Sequence, residues 1–216
     1  ASRIRRSWLT CAFPNATDDH VAHLLSSRRF VIVEGPPGTG KTELARRILR
    51  EKYKGNGREI QFHPGTTYES FIGGLSPHDG GAMGFTFRPT TGHLLQAIVA
   101  ANKNPGQRYL LVIDEINRAD LAKVLGEAIY LFEPSQSDRK VNLQYEFSDI
   151  GRVLSLPQNL DVLGTMNSSD RSIAILDVAV RRRFAFVPLW PQLGVVEKLS
   201  EQKLINAFQE LLGIFF

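Results

Sequence analysis

Cysteine is nearly absent. The single Cys11 among 216 residues excludes an intrachain disulfide and a cysteine-rich metal site, and makes a reducing compartment, the cytoplasm, the expectation. Long apolar runs are absent as well. None approaches the ~20 residues of a membrane-spanning helix, so no membrane partner is expected. The opening Ala1-Ser2-Arg3-Ile4-Arg5-Arg6 does not read as a secretory leader. There is no internal repeat and no low-complexity tract. An excess of one charge is also lacking: 26 Lys and Arg against 22 Asp and Glu leave a net +4, which permits an acidic partner without arguing for one. What remains, 43% hydrophobic and 22% charged, is ordinary globular composition with length for one large domain and the start of another.

Against that plain background one stretch stands out, Gly35-Pro36-Pro37-Gly38-Thr39-Gly40-Lys41-Thr42. It follows the apolar run Phe30–Val33 and opens a helical pattern at Glu43-Leu44-Ala45-Arg46-Arg47-Ile48-Leu49. Strand, glycine-rich loop, Lys-Thr and helix form the context of a phosphate-binding P-loop. Glycines let successive backbone N–H groups face one concavity, and the helix that follows adds the positive end of its dipole. Lys41 is placed for the β- and γ-phosphates of a nucleoside triphosphate, and the Thr42 hydroxyl for Mg²⁺.

A second chemical signal lies at Tyr109-Leu110-Leu111-Val112-Ile113-Asp114-Glu115, a buried strand ending in two carboxylates. After a P-loop this is the pattern in which Asp114 holds the Mg²⁺ shell and Glu115 polarises the attacking water as general base. The interval between Lys41 and Asp114 suits a sheet in which these two strands are neighbours at the ligand crevice.

The rest of the chain reads more coarsely. Residues 1–29 are an arm and a short helix capped by Asn15 or Thr17, with Val21, Leu24 and Leu25 on its buried face. Arg28 and Arg29 are weak candidates for contacting a nucleotide base. His20 and His23 read as surface or packing residues rather than metal ligands. Arg46, Arg47, Arg50, Lys52 and Lys54 read as a solvated helix face, with a nucleic-acid surface the sharper alternative. A strand is expected at 59–63 and a helix at 92–101. Between them the glycine-rich 73–92 reads as loop with a short hairpin at Phe85-Thr86-Phe87. Further expectations are a helix from Leu121 to Phe132 and a strand pair at 141–147 and 152–156. A core strand at 160–167 follows, with Asn167 at its tip. A helix over 173–184 then ends in Arg181, Arg182 and Arg183, and a last strand lies at 184–189. An amphipathic helix is expected from Glu197 onward. The domain division is 1–29 arm, 30–190 nucleotide-binding domain, and 191–216 the start of a helical lid.

The P-loop, Asp114-Glu115, Asn167 at a strand tip and an arginine cluster closing a helix, in this order, resemble the AAA+ superfamily. The resemblance implies an α/β P-loop fold: a three-layer α/β/α sandwich with a mostly parallel five-stranded sheet. It also implies that Asn167 is the sensor that hydrogen-bonds the attacking water or γ-phosphate, and that Arg181, Arg182 or Arg183 is an arginine finger serving a neighbouring subunit. Within the superfamily, Asp114-Glu115-Ile116-Asn117-Arg118-Ala119 and Met166-Asn167-Ser168-Ser169-Asp170-Arg171-Ser172 look like the McrB branch, motor subunits of modification-dependent restriction systems. Gln61-Phe62-His63, Tyr68 to Gly74 and Arg181 to Phe186 resemble that branch too. The branch usually has Thr-Ala where this chain has Ser168-Ser169, and McrB is noted for using GTP, so both ATP and GTP stand as substrates. The branch implies a homo-oligomeric, commonly hexameric ring, a McrC-like or other nuclease partner that stimulates hydrolysis, and DNA engaged through that complex in anti-phage defence. The alternatives are a MoxR-like or dynein-related ATPase that remodels proteins, and a nucleotide-gated assembly module.

Overall fold

A computed structural model describes residues 16–79, 84–136, 138–168 and 176–190. Its centre is a five-stranded sheet of β1 (Phe30–Gly35), β2 (Gly57–Gln61), β5 (Tyr109–Asp114), β8 (Leu160–Asn167) and β9 (Ala185–Pro188). The order is β2-β5-β8-β1-β9, and every neighbouring pair is parallel. A parallel sheet is covered on both faces, so its strands read as unbroken apolar runs. Alternate residues then serve opposite faces. Phe30, Ile32, Leu111, Ile113 and Val162 join one core cluster. Val31, Val33, Leu110, Val112 and Leu163 join the other. Helices α1 (Asp18–Arg28) and α2 (Lys41–Glu51) contribute Val21, Leu25, Leu44, Ala45 and Ile48 to the second cluster. Helices α3 (Tyr68–Phe71), α4 (His93–Lys103) and α5 (Leu121–Leu125) pack on the first. The outcome is the expected α/β/α sandwich with a parallel five-stranded sheet.

Several local expectations hold. Thr17 caps α1, its hydroxyl accepting from the His20 backbone N–H at 3.2 Å. Three of the five cations named for this face, Arg46, Arg47 and Lys52, are closely paired with carboxylates. Arg46 makes a forked contact with Glu59 at 2.7–2.9 Å, Arg47 pairs with Asp18, and Lys52 with Asp19. That supports the solvated face rather than a nucleic-acid surface, because the charge is neutralised in place.

Other expectations are corrected. The P-loop strand β1 and the acidic strand β5 are not neighbours, because β8 lies between them and pairs with both. The segment expected as loop is a ribbon. Seven-residue strands β3 (Gly73–Asp79) and β4 (Phe85–Thr91) pair antiparallel through their whole length. It hid from pattern reading because most of it beyond Gly73 and Gly74 is exposed, so no alternation of burial shaped its composition. The expected helix from Leu121 to Phe132 is α-helical only to Leu125 and continues as a 3-10 helix to Leu131. Gly126, at φ 50° and against the Tyr68 ring, marks the break. The strand pair is observed as β6 (Val141–Phe147) and β7 (Gly151–Leu154). Of the expected helix over 173–184, the described part is α6 (Val178–Arg181). The helix expected from Glu197, the 1–15 arm and Ser169 to Ile175 lie outside the described residues. Arg29 is no base contact: it is buried, and its guanidinium donates to the carbonyls of Pro157 at 2.6 Å and Leu160 at 3.1 Å.

Candidate nucleotide site

The site forms where β1, β8 and β5 end side by side. The loop after β1 turns through Gly38 and Gly40, at φ 78° and 84°, where a side chain would be strained. Gly35 answers a different need. A Cβ there would lie 2.1 Å from the Leu189 carbonyl oxygen, so only glycine lets the first turn of the loop pass the edge strand. The loop is braced by the Thr39 hydroxyl, which donates to the Pro36 carbonyl at 3.0 Å. Lys41 opens α2 and is buried, its ammonium donating to the Gly35 and Pro36 carbonyls at 3.0 and 2.7 Å. Burial pushes the Lys41 ammonium below its ordinary pKa, opposed by the nearby charges of Glu115 and Asp114. A buried cation whose nearest partners are neutral carbonyls is matched to an incoming anion, and the loop's turned backbone fits a phosphate chain.

One residue further on, the Thr42 hydroxyl donates to Asp114 Oδ1 at 2.9 Å, and the Thr165 hydroxyl donates to the same oxygen. Thr42, in the first turn of α2, and Asp114, at the end of β5, thus hold a hard-oxygen pair at the phosphate side of the loop, which suits Mg²⁺ completed by phosphate and water oxygens. Among the described residues there is no cluster of three or more His, Cys, Asp or Glu positioned as an all-protein metal cage.

Glu115 sits just past β5 in a left-handed conformation, φ 54° and ψ 44°, a strained state for a non-glycine residue. Three contacts hold it. Its N–H donates to the Thr165 hydroxyl at 3.2 Å, Asn167 Nδ2 donates to its Oε1 at 2.6 Å, and Arg118 Nε to its Oε2 at 3.3 Å. Asn167 is paired in register with Gly35. Insertion of β8 between β1 and β5 is therefore what puts Asn167 between the phosphate loop and the carboxylate pair. Asn117 Nδ2 donates to the Asn167 carbonyl at 3.2 Å, and its own Oδ1 is buried without a donor among the described residues.

Residues expected from sequence thus converge: Gly35 to Thr42, Asp114, Glu115 and Asn167. The arginines do not join them. Arg183 donates to Ala179 O at 2.7 Å, Arg181 lies over the Phe186 ring at 5.7 Å, and Arg182 is exposed. All three precede β9, whose Ala185 is paired with Val31 near the start of β1, whereas the P-loop follows the end of β1. Sequence reasoning missed Thr165, Asn117 and Arg118. Thr165 carried a signal, being with Asp161 one of two polar residues buried inside a mostly apolar strand, and is now 2% exposed.

Residues 30–184 match the family model of the AAA domain, dynein-related subfamily. The chain belongs to the AAA family. This AAA chain is 37% identical over 184 residues to the type IV methyl-directed restriction enzyme EcoKMcrB subunit of Escherichia coli K12, over 82% of its own length and 39% of that protein. It is 28% identical over 197 residues to the type II restriction enzyme BsuMI component YdiS of Bacillus subtilis 168, over 76% of its length and 57% of that protein. It is a McrB-like AAA+ protein that spans 39% and 57% of the length of these two relatives. Among the described residues of this AAA domain, no helix is long and apolar enough to cross a membrane.

Proposed function

We propose that this AAA domain is the motor module of a restriction complex, hydrolysing ATP or GTP with Mg²⁺ at the subunit interfaces of a homo-oligomeric ring, commonly a hexamer. The observation that carries the reading is the convergence of the Lys41 loop, the Thr42–Asp114 pair and the Glu115–Asn167 contact at adjacent strand ends. Lys41 and the loop amides bind and neutralise the β- and γ-phosphates. Thr42 and Asp114 would hold Mg²⁺, which would supply neutralisation of the phosphates' charge. Asn167 orients the attacking water, and Glu115 accepts its proton.

The arginines at 181–183 serve a neighbouring copy. Six residues of β1 at ~3.3 Å each span roughly 20 Å, further than a guanidinium reaches from the start of the strand to the loop beyond its end. In trans, such an arginine offsets charge developing on the γ-phosphoryl group, worth ~10³–10⁵ in kcat. The partner is a McrC-like nuclease or other effector, DNA being engaged through the complex.

Titration of ATP and GTP against the purified chain, with and without Mg²⁺, followed by phosphate release, tests the proposal. Saturable Mg²⁺-dependent turnover of at least one of them, lost in Lys41→Ala, is expected. Absence of binding to both refutes it. Stimulation by DNA together with a nuclease partner supports the restriction reading, whereas stimulation by a protein client alone supports the remodelling alternative. Nucleotide-dependent assembly without turnover supports a gated assembly module.

A further inference from the structure

Strands β5 and β8 run in register from Tyr109 and Leu160 to Ile113 and Gly164. Past that point they part. Strand β8 continues to Asn167, still paired with β1. Strand β5 ends at Asp114, and the chain turns away through the left-handed Glu115 into a 3-10 turn, Ile116–Arg118. Thr165 to Asn167 therefore have a paired strand on one side only. On the other side, side chains take the place of the ladder. The Thr165 hydroxyl accepts from the Glu115 N–H at 3.2 Å. Two residues on, the Asn167 carbonyl accepts from Asn117 Nδ2 at 3.2 Å. The next N–H, that of Ser168, goes to the Gly35 carbonyl at 3.1 Å on the β1 side.

Asn117 is placed for this by its neighbours. Ile116 is fully buried against Gly164, where a Cβ would come within 3.0 Å of Ile116 Cδ1. The Arg118 N–H closes the turn on the Glu115 carbonyl at 2.9 Å. Between these two anchors Asn117 is 5% exposed, and its Oδ1 is buried with no donor among the described residues. An unpaired buried acceptor costs free energy that an apolar side chain of the same size does not. Stability of the fold alone therefore does not account for an amide at this position, whereas a donor facing the Asn167 carbonyl does.

We infer that Asn117 is a positioning residue: it completes the open end of β8 and so fixes Asn167, whose side-chain amide meets Glu115 Oε1 at 2.6 Å. The Asn167 backbone is then held by Gly35 on one side and Asn117 on the other. Its amide keeps its place between the phosphate loop and the carboxylate. Asn117 acts through Asn167 and binds no part of the nucleotide. The inference rests on the reading of Asn167 given above, as the group that orients the attacking water.

The test is a double-mutant cycle in the full chain, with Asn117→Leu, Asn167→Ala and the two combined. Melting temperature, affinity for a fluorescent triphosphate analogue and steady-state phosphate release with Mg²⁺ are measured for each. Leucine keeps the volume and removes the donor. Asn117→Leu retains nucleotide affinity, KM and a melting temperature close to the parent's, and loses about three- to tenfold in kcat, the size of one lost hydrogen bond. In the Asn167→Ala background the leucine costs nothing further, because the group it positioned is gone. Asn117→Ser repeats the cycle if the leucine variant does not fold. Parental kcat in Asn117→Leu overturns the inference and leaves the proposed hydrolysis standing. Losses that multiply in the combined variant overturn it as well, since Asn117 then acts by another route, and so does affinity that falls in step with turnover. Parental turnover in Asn167→Ala removes the role given to Asn167, and the inference falls with it.

Discussion

Thr165→Val removes one hydroxyl and leaves the volume nearly unchanged. In the native site that hydroxyl donates to Asp114 Oδ1 and accepts from the Glu115 N–H at 3.2 Å, in a residue only 2% exposed. The valine leaves the Glu115 N–H without its acceptor, which costs ~1–3 kcal/mol where water does not replace it. At roughly 2–4 °C per kcal/mol for a domain of about 150–250 residues, the melting temperature falls by a few degrees. The second consequence is kinetic. Glu115 is held in its left-handed backbone conformation partly by this bond, so its carboxylate loses position while Thr42 still reaches Asp114 at 2.9 Å. Turnover therefore falls about tenfold or more, within the ~10²–10⁴ that general-base catalysis supplies, and nucleotide affinity changes little. Differential scanning calorimetry paired with steady-state phosphate release measures both. A valine variant that melts and turns over like the parent refutes the role given to Thr165. One that loses nucleotide affinity in step with turnover places the hydroxyl in binding instead.

Three further outcomes are expected. Glu115→Gln retains nucleotide affinity and loses turnover by roughly 10² or more; phosphate release that survives it removes Glu115 as the base. Arg108→Met leaves the Asp161 carboxylate, 0% exposed and otherwise bonded to Tyr53 at 2.7 Å, without its guanidinium partner. Stranding a buried carboxylate costs up to about 3–5 kcal/mol, less here because the Arg108 side chain is 41% exposed, and adding Asp161→Asn recovers part of the loss in urea denaturation. The Asp18 carboxyl is held below its ordinary pKa of 3.8, chiefly by its hydrogen bonds from Arg47. Its contribution is therefore present above that ordinary value and lost as pH falls below it through the lowered one. Asp18→Asn flattens that part of the stability–pH curve, and an unchanged slope contradicts the pairing.

Much of this molecule was legible before its structure. The P-loop and Asp114-Glu115 were visible because phosphate binding demands glycine at fixed spacing and a parallel strand demands an unbroken apolar run. Asn167 was visible from the resemblance together with its place at a strand tip. What sequence could not supply was order in space. Nothing in the residues of β1 and β5 says that β8 inserts between them, because strand order is decided by crossovers and packing. Thr165 and Asn117 were hidden for the same reason, since their partners are 50 residues or so away in the chain. Arg28 is only a weak base candidate from its position ahead of β1. Its true surroundings depend on where β9 starts, which local sequence does not encode.

The central claim is that one triphosphate is gripped by residues 35–42 and served by Asp114, Glu115 and Asn167. A crystal structure with a nonhydrolysable triphosphate analogue and Mg²⁺ tests it most directly. The account predicts β- and γ-phosphate oxygens within hydrogen-bond distance of Lys41 Nζ, Mg²⁺ about 2.0–2.1 Å from Thr42 Oγ1, and a water between Glu115 and the γ-phosphate. A nucleotide bound elsewhere, or one whose terminal phosphate lies away from Glu115 and Asn167, contradicts it.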